Sequence, residues 1–327
     1  MNEQIVTEIT RRAMATEFAI VLPGQSPRAT EAAVDALDML EAIESKLTIY
    51  RPESDISRIN QSAGIEPVRV SDDVYDLLIH AVNVSKQTGG AFDITAGPLV
   101  ECWGFTKRRG QKPTEQQINE AKQRVGWHMI EFQREAKTVF LKRPGMQINL
   151  GGIGKGYAID KMACHLQQNG VTHFLIHGGK STILVATNNA GGPETVDTEP
   201  WRIAIEHPHR PGRRLAEIEI RNGAIATSGS GKQFFHYKGQ RIGHVIDPRT
   251  GRPAGDALSI TIQCKNATDA DAYSTACFVD GVGATEALVR GNRQRIGLGE
   301  DAVGPSYAIA VTESAGGNHV LVQEISD

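Results

Sequence analysis

A series of short strand-like segments in the second half of the chain constrains the fold more than any other feature. Turn residues separate most of these segments, so little sequence is left for long connections between them. Parallel strands need a crossover of about a dozen residues or more, whereas antiparallel strands are joined by short turns. The sequence therefore predicts an α+β protein with mixed, largely antiparallel sheets. The segments are residues 174–177, 182–186, 202–206, 216–220 and 259–263.

Helical periodicity predicts helices that flank these sheets. Apolar residues at helical spacing between residues 37 and 47 form one face of a long helix. Ser71 is a suitable N-cap for a second helix. Thr114 and Gln117 have the reciprocal donor and acceptor arrangement of a capping box, which predicts a third helix that ends near Gly126.

Other segments of the first half have less regular patterns. Residues 13–21 predict a single strand, and residues 50–60 predict a loop. Residues 138–142 and 147–150 predict the two strands of a hairpin, because the Pro-Gly pair at 144–145 between them is a turn signal.

Length and composition predict one compact globular unit. The chain has 327 residues, of which 40% are hydrophobic, and a formal net charge of −3. That amount of apolar sequence can form a sizeable core. Residues 188–200, rich in Gly, Asn, Thr and Pro, predict a surface loop rather than a linker. We therefore expect a single domain over residues 1–327, built from two intertwined subdomains.

Charge and hydropathy argue against two classes of partner. A near-neutral chain with no long basic run has no electrostatic footprint for nucleic acid. No stretch approaches the ~20 apolar residues that span a membrane. The first residues lack the basic and apolar regions of a secretion signal. The chain as given is therefore expected to be cytoplasmic, with a periplasmic location left open for a trimmed chain.

The cysteines point to neither a disulfide framework nor a zinc site. They are far apart in the sequence and form no Cys-x-x-Cys pair, so they predict reduced, packed thiols. The four are Cys102, Cys164, Cys264 and Cys277.

Residues 147–160 combine a strand-like run, a glycine-rich turn and the start of a helix. Glycines let the backbone approach a phosphate closely, and a helix N-terminus offers unpaired N–H groups. Lys155 would add a positive charge there. The spacing matches neither the P-loop nor the dinucleotide-binding fingerprint. A tight strand-to-helix turn without a ligand is therefore an equally good interpretation of the spacing.

Residues 89–100 form a second candidate ligand loop. Phe92 and Asp93 in this loop could stack on a ring system or hydrogen-bond to it. The alternative is a buried turn in which Asp93 caps the following segment. Spacing alone does not decide between these interpretations.

Three side chains later in the chain suit phosphoryl transfer with a metal. Asp271 and Thr275 are four residues apart, so both oxygens lie on one helix face if Thr268 caps a helix there. Hard oxygen ligands of this kind suit Mg²⁺. His244 precedes a turn at residues 247–251 and, with an ordinary pKa of about 6.5, can exchange a proton near neutral pH. The alternatives are a Thr bonded to its own helix, a solvated Asp and a structural His.

Seven segments taken together resemble the ApbE family of FAD:protein FMN transferases. They follow the order of the family between residues 14 and 280, and their joint pattern is far more specific than any single motif. Some positions depart from the family pattern, since Asn149 stands where Asp is common and Lys180 where an acidic residue commonly follows two glycines. Gly152 and Gly154 stand where alanine is frequent, which should matter less because a backbone carbonyl would bind the metal. The segments are residues 14–16, 47–60, 90–93, 151–160, 226–229, 244–251 and 270–276.

The resemblance implies a reaction and a set of residue roles. A Thr or Ser hydroxyl of an acceptor protein would attack the FMN phosphorus of FAD, the substrate, with Mg²⁺ as cofactor and AMP as the other product. His244 would assist removal of the proton from that hydroxyl. Asp271, Thr275 and the backbone carbonyl of Gly152 would bind the metal. The FAD site would be lined by Met14, Tyr50, Ala91, Phe92, Asp93 and Lys155.

Three other functions fit parts of the same pattern. A pyrophosphatase would use the same metal site to split FAD into FMN and AMP with water as the nucleophile. A flavin-binding protein would keep the fold without catalysis, although His244, Asp271 and Thr275 argue against it. A nicotinamide dehydrogenase is weaker still, because the glycine-rich turn lacks the spacing that such enzymes need.

Overall fold

The computed structural model describes residues 5–106, 110–187, 199–210, 212–231, 233–297, 304–313 and 320–326. The loop predicted for residues 188–200 lies outside these ranges as far as residue 198. The strands are β1 (Val6–Ala13), β2 (Thr16–Pro23), β3 (Val68–Arg69), β4 (Ile130–Gln133), β5 (Thr138–Leu141), β6 (Phe174–Gly178), β7 (Thr182–Ala186), β8 (Trp201–Glu206), β9 (Arg214–Ile220), β10 (Gly223–Gly229), β11 (Phe234–Tyr237), β12 (Gln240–Gly243), β13 (Ser259–Cys264), β14 (Tyr307–Glu313) and β15 (Val320–Ile325). The helices are α1 (Pro27–Leu47), α2 (Asp55–Gln61), α3 (Asp72–Gln87), α4 (Gly97–Cys102), α5 (Glu115–Lys122), α6 (Gly154–Gln168) and α7 (Ala267–Gly297).

A large antiparallel sheet forms the centre of the fold. Its eight strands have the order β1-β2-β6-β7-β10-β13-β14-β15, and every pair is antiparallel. Three smaller sheets accompany it, with the orders β3-β5-β4, β8-β9 and β11-β12. The α+β class and the largely antiparallel pairing predicted from the sequence are confirmed. The five predicted strands of the second half correspond to β6, β7, β8, β9 and β13.

The two faces of the central sheet pack against different elements. Ala224 and Ala226 of β10 are buried in the main core with residues of α6 and α7. Ile225, between them, points to the other face and is buried in a second cluster with residues of β8 and β9. Alternation of side chains along the strand thus places the helix pair on one face and the β8–β9 hairpin on the other.

The start of the chain differs from the prediction of one strand over residues 13–21. The structure has a hairpin of β1 and β2, joined by Met14 and Ala15. Both of these residues have positive φ, 49° and 58°. Tight hairpin turns of this kind usually contain Gly, Asn or Asp. Because this turn contains none of them, the sequence carried no signal for it.

The predicted helices are confirmed as α1, α3 and α5. The capping box is also present, since Thr114 N donates to Gln117 Oε1 at 2.9 Å and Gln117 N donates to Thr114 Oγ1 at 3.3 Å. The helix ends at Lys122 rather than near Gly126. The loop predicted for residues 50–60 is wrong in part, because it contains most of α2, with Ser54 as the N-cap.

The hairpin predicted over residues 138–150 is wrong. Its first strand exists as β5, but β5 pairs with β3 and β4. Residues 147–150 make one isolated bridge, between Gln147 and Ala96. The amide of Asn60 instead bonds the backbone of Ile148, accepting at 2.7 Å and donating at 3.0 Å. A buried apolar run whose polar groups are satisfied by a side chain has the same sequence pattern as a strand.

Helix α7 is interrupted at Gly281, which has φ 83° and ψ −177°. A Cβ at this position would lie 2.8 Å from both carboxylate oxygens of Asp256. Only glycine fits both the backbone conformation and this close approach. The described part of the chain, α7 included, contains no helix long and apolar enough to cross a membrane.

The cysteines are free thiols, as predicted, but they are not all packed. Cys264 and Cys277 are buried, whereas Cys102 is half-buried and Cys164 is exposed. Burial raises the pKa of Cys277 to about 12, so its thiol stays protonated at neutral pH.

Helices α6 and α7 approach each other closely at Gly156. A Cβ at Gly156 would lie 2.1 Å from the carbonyl oxygen of Ala267, at the start of α7. We expect Gly156→Ala to lower the free energy of unfolding by about 3 kcal/mol, because backbone atoms must move apart to admit the methyl group. Chemical denaturation of the purified variant measures this change.

The matched control is Gly283→Ala, also in α7, where a Cβ would have no heavy atom within 4 Å. Replacing an unhindered helical glycine with alanine stabilises by about 0.5–1 kcal/mol. Equal effects of the two substitutions would contradict the close helix contact.

Candidate active site

The N-termini of α6 and α7 meet at Asp271, which is 5% exposed. Lys155 Nζ, on the first turn of α6, lies 2.9 and 3.1 Å from the two carboxylate oxygens. Gly156 N donates to Oδ2 at 3.2 Å, and Thr182 Oγ1 donates to Oδ1 at 3.0 Å. These donors and the ammonium group of Lys155 satisfy a carboxylate that is buried away from water.

Thr182 was not predicted from the sequence to be a site residue. It is the first residue of β7, and it lies 89 positions from Asp271 in the chain. A threonine at the start of a strand fits the β pattern without any functional role, so the sequence alone held no signal for this contact.

Thr275 lies one helical turn after Asp271 and beside the glycine-rich turn. A Cβ on Gly152 would lie 3.1 Å from Thr275 Oγ1 and 3.3 Å from Phe92 Cε2. The structure therefore brings together the backbone of Gly152 and the side chains of Thr275 and Phe92. The Thr275 hydroxyl also donates to the backbone carbonyl of Asp271 at 3.2 Å, as expected for a threonine that is bonded to its own helix.

Two serines extend the polar cluster around Thr275. Ser228 Oγ of β10 lies 2.9 Å from Ser274 Oγ and 3.4 Å from Thr275 Oγ1. Ser274 Oγ donates to the carbonyl of Asp271 at 2.9 Å. Strand β10 thus contacts the same turn of α7 that carries Asp271 and Thr275.

The donor set of this cluster suits a hard divalent cation. It combines the carboxylate of Asp271 and the hydroxyl of Thr275, with the backbone of Gly152 beside Thr275. Mg²⁺ is commonly held by one or two carboxylates, with phosphate oxygens of the substrate completing its coordination. Among the residues that the structure describes, no group of three or more His, Cys, Asp or Glu side chains is placed to hold a metal. The cluster therefore fits Mg²⁺ with an anionic substrate better than zinc held by protein ligands alone.

The first turn of α6 suits an anionic ligand. Gly151 N donates to Asn149 Oδ1 at 2.9 Å, which fixes the turn before the helix. The N-cap residue is Ile153, whose side chain has no acceptor for the N–H groups of the first turn. Gly154 N donates to Leu150 O at 2.8 Å and Gly156 N donates to Asp271 Oδ2 at 3.2 Å, so a phosphate here would be attracted by the positive helix end and by Lys155 rather than bound by these two N–H groups.

Apolar residues line the approach to this turn. Ala91 and Phe92 are buried, at 1% and 4% exposure. A Cβ on Gly154 would lie 3.2 Å from Met14 Cε, so Met14 packs against the glycine-rich turn. Tyr50 is 72% exposed, and no contact found among the described residues joins its ring to the cluster. The structure thus places Met14 and Phe92 against the turn, with Ala91 buried next to Phe92 in the chain, and leaves Tyr50 on the surface.

Asp93 makes the contacts of a buried turn, which was the alternative to a ligand-binding role. Its Oδ1 accepts hydrogen bonds from Thr95 N at 2.8 Å and from Thr95 Oγ1 at 2.7 Å. Its Oδ2 accepts from Trp127 N at 2.9 Å. Burial raises the pKa of Asp93, and these hydrogen bonds oppose the shift. The carboxylate therefore fixes the loop that presents Ala91 and Phe92.

His244 follows β12 and is held by a backbone carbonyl. Its Nδ1 lies 3.1 Å from Gln233 O, and its ring contacts Phe105 edge-on, with centroids 6.3 Å apart. Burial lowers the pKa of His244, and the positive charge of Lys155 lowers it further, while the Gln233 carbonyl opposes both. The imidazole is thus neutral at neutral pH. With Nδ1–H donating to Gln233 O, Nε2 is left with the lone pair that can accept a proton.

The loop after His244 is fixed by charged and aromatic contacts. Arg249 Nε lies 2.9 Å from Asp247 Oδ1, and an Arg249 Nη lies 2.6 Å from Asp280 Oδ1 of α7. Trp103 Nε1 donates to the carbonyl of Gly251 at 2.9 Å. These bonds tie the strand end that carries His244 to the same helix that carries Asp271.

His244 lies close enough to Lys155 to feel its positive charge, and Lys155 contacts Asp271. The chain belongs to the ApbE family, whose model matches residues 14–297. The family and the enzyme class predicted from the sequence are confirmed.

Two FAD:protein FMN transferases from other bacteria are similar in sequence to most of this chain. It is 32% identical over 286 residues to the FAD:protein FMN transferase of Salmonella typhimurium strain LT2, which covers 85% of this chain and 80% of that protein. It is 31% identical over 292 residues to the FAD:protein FMN transferase of Escherichia coli K12, with 87% and 81% covered.

Solved structures of the family have the same fold. The crystal structure of the ApbE protein of Thermotoga maritima MSB8 superposes with a TM-score of 0.83 at 29% identity, covering 99% of this chain and 97% of that chain. The flavin transferase ApbE of Vibrio cholerae has a TM-score of 0.80 at 26% identity, with 99% and 98% covered.

Proposed function

We propose that the protein transfers the FMN part of FAD to a Thr or Ser hydroxyl of an acceptor protein and releases AMP. The observation that carries this proposal is the group formed by Asp271, Lys155, Thr275 and Gly152 where two helix N-termini meet. The names of the relatives support flavin transfer, and the chemistry of this group supports attack on a diphosphate.

Different residues of the chain would bind different parts of FAD and the metal. Lys155 and the first turn of α6 bind the diphosphate of FAD, while Met14, Ala91 and Phe92 contact the flavin part. Asp93 acts through the loop that it fixes. Gly152, Asp271 and Thr275 would hold Mg²⁺, which neutralises charge on the diphosphate oxygens when bound.

The covalent step balances without any other reactant. The acceptor hydroxyl oxygen forms a bond to the FMN phosphorus, and the bond from that phosphorus to the bridging oxygen breaks. The bridging oxygen leaves with its electron pair as part of AMP. The hydroxyl proton passes to Nε2 of His244, whose neutral form is favoured by burial and by Lys155.

The test is to incubate the protein with FAD, Mg²⁺ and an acceptor protein that carries an exposed Thr, and to follow acceptor mass and AMP together. An FMN-sized mass gain with matching AMP supports transfer. AMP and free FMN without labelled acceptor would indicate the pyrophosphatase. Bound FAD with neither product would indicate a flavin-binding protein.

The pH dependence of transfer follows from the pKa of His244. The active form is neutral, so kcat/KM falls as the pH drops through this pKa, which burial places below the ordinary value of about 6.5. We therefore expect kcat/KM to reach half of its maximum at a pH below about 6.5. Initial rates between about pH 5 and 8 measure this midpoint. A midpoint above the ordinary value would contradict the assignment of His244 as the base.

A further inference from the structure

We propose that Asp160, on α6, is a positioning residue for Asp271 and Thr275, and that it acts through the first turn of α7. The inference rests on the proposed function, because it takes Asp271 and Thr275 as metal ligands. It assigns a role to a carboxylate outside the metal cluster.

Asp160 accepts the first N–H groups of α7. Ala267 N donates to its Oδ1 at 2.8 Å, and Thr268 N donates to its Oδ2 at 2.8 Å. The hydroxyl of Thr268 also donates to Oδ2. A helix begins with unpaired N–H groups that point along its axis, so an acceptor placed there fixes both the position and the direction of the helix.

The N-terminus of α7 already has a cap of the usual kind. Asp269 N donates to Asn266 Oδ1 at 2.7 Å, and Ala270 N donates to Asn266 O at 3.2 Å. Asp160 is therefore a second acceptor, supplied from another helix. A single cap residue would satisfy a helix end without fixing it to α6.

The two helices hold each other in both directions. Asp160 of α6 accepts from α7, and Asp271 of α7 accepts from Gly156 N of α6. Gly156 and Asp160 are four residues apart, so they lie on one face of α6. A displacement of α7 would move Asp271 relative to Lys155 and Thr275 relative to Gly152.

This arrangement has an energetic cost, which argues for a role beyond capping. Burial raises the pKa of Asp160, and the nearby carboxylate of Asp269 raises it further, against the hydrogen bonds that lower it. His80 Nε2 lies 2.7 Å from Asp269 Oδ1 and offsets part of this repulsion. A neutral cap would satisfy the same N–H groups without placing two carboxylates together.

The test is Asp160→Asn, in which one of the two acceptor oxygens becomes an NH₂ group that faces an N–H donor. Binding of Mn²⁺ is followed by the electron paramagnetic resonance signal of the free ion, in the presence of ADP as a diphosphate. We expect the Mn²⁺ dissociation constant to rise about 10–100-fold, as for other residues that orient metal ligands. FAD affinity measured without metal should stay within about twofold, because Lys155 and the first turn of α6 are unchanged.

The matched control is Asp55→Asn, a buried carboxylate outside the site. Asp55 Oδ2 accepts from Ser71 N and Ser71 Oγ at 3.1 and 2.7 Å, so it holds the N-cap residue of α3 from α2, and Arg58 donates to its Oδ1. This variant should lose thermal stability with unchanged Mn²⁺ affinity. The inference is overturned if Asp160→Asn behaves in the same manner.

A milder variant covers the case in which Asp160→Asn does not fold. Thr268→Val removes one donor to Asp160 and leaves both backbone hydrogen bonds in place. We expect a Mn²⁺ dissociation constant about threefold higher, and an unchanged constant would overturn the inference. Failure of the wild-type protein to bind Mn²⁺ with ADP would instead overturn the proposed metal site, and the inference with it.

Discussion

Asp271→Asn lowers the rate of FMN transfer by about 10³-fold, the largest loss that we expect from a single substitution. The substitution removes the one carboxylate of the cluster, and it leaves the ammonium of Lys155 without its partner. It also places an NH₂ group against Lys155, Gly156 or Thr182, all of which donate to Asp271. Transfer is measured as covalent flavin on the acceptor per unit time, at saturating FAD and Mg²⁺.

Loss of folding must be separated from loss of chemistry in this variant. The Asp55→Asn variant makes the same chemical change at a carboxylate that is 9% exposed and outside the site. It should retain transfer within about twofold of the wild type at a temperature where both are folded. A transfer rate of Asp271→Asn within tenfold of the wild type would contradict the role of this carboxylate.

His244→Ala slows transfer by about 10²–10⁴-fold, the usual range for loss of a general base, while FAD still binds. The imidazole contacts Phe105 and the carbonyl of Gln233, and neither contact belongs to the glycine-rich turn or the Asp271 cluster. FAD affinity is measured by quenching of flavin fluorescence, and transfer by acceptor mass. The acidic fall in kcat/KM should disappear with the side chain.

A neighbouring histidine provides the control for this substitution. His236 lies on β11 of the same hairpin and pairs with Arg241 across it, and its side chain is exposed. His236→Ala should leave transfer within about twofold. Abolished FAD binding in His244→Ala would contradict a role in proton transfer and would make His244 a binding or structural residue.

The sequence predicted the parts of the fold that depend on local patterns. Capping and apolar periodicity identified α1, α3 and α5, and short connections predicted antiparallel pairing. The sequence did not predict the segments whose conformation depends on tertiary contacts rather than on turn residues or periodicity. The turn at Met14 and Ala15 has no turn residue, and residues 147–150 are fixed by Asn60 from far along the chain.

The candidate site was predictable to a similar extent. The spacing of Asp271 and Thr275 gave their common helix face, and the family resemblance gave their partner Gly152. Thr182 and Asp160 could not be assigned, because their contacts join segments about a hundred residues apart and neither residue type is unusual where it stands.

The interruption of α7 at Gly281 divides this long helix into two parts that meet at a kink. The first part, residues 267–280, is held at one end by Asp160 and at the other by the bond from Arg249 to Asp280. The kink at Gly281 lets the two parts take different directions, so the direction of the second part does not set the direction in which the first part presents Asp271. Substitutions at exposed positions of the second part should therefore disturb Asp271 less than substitutions at exposed positions of the first part.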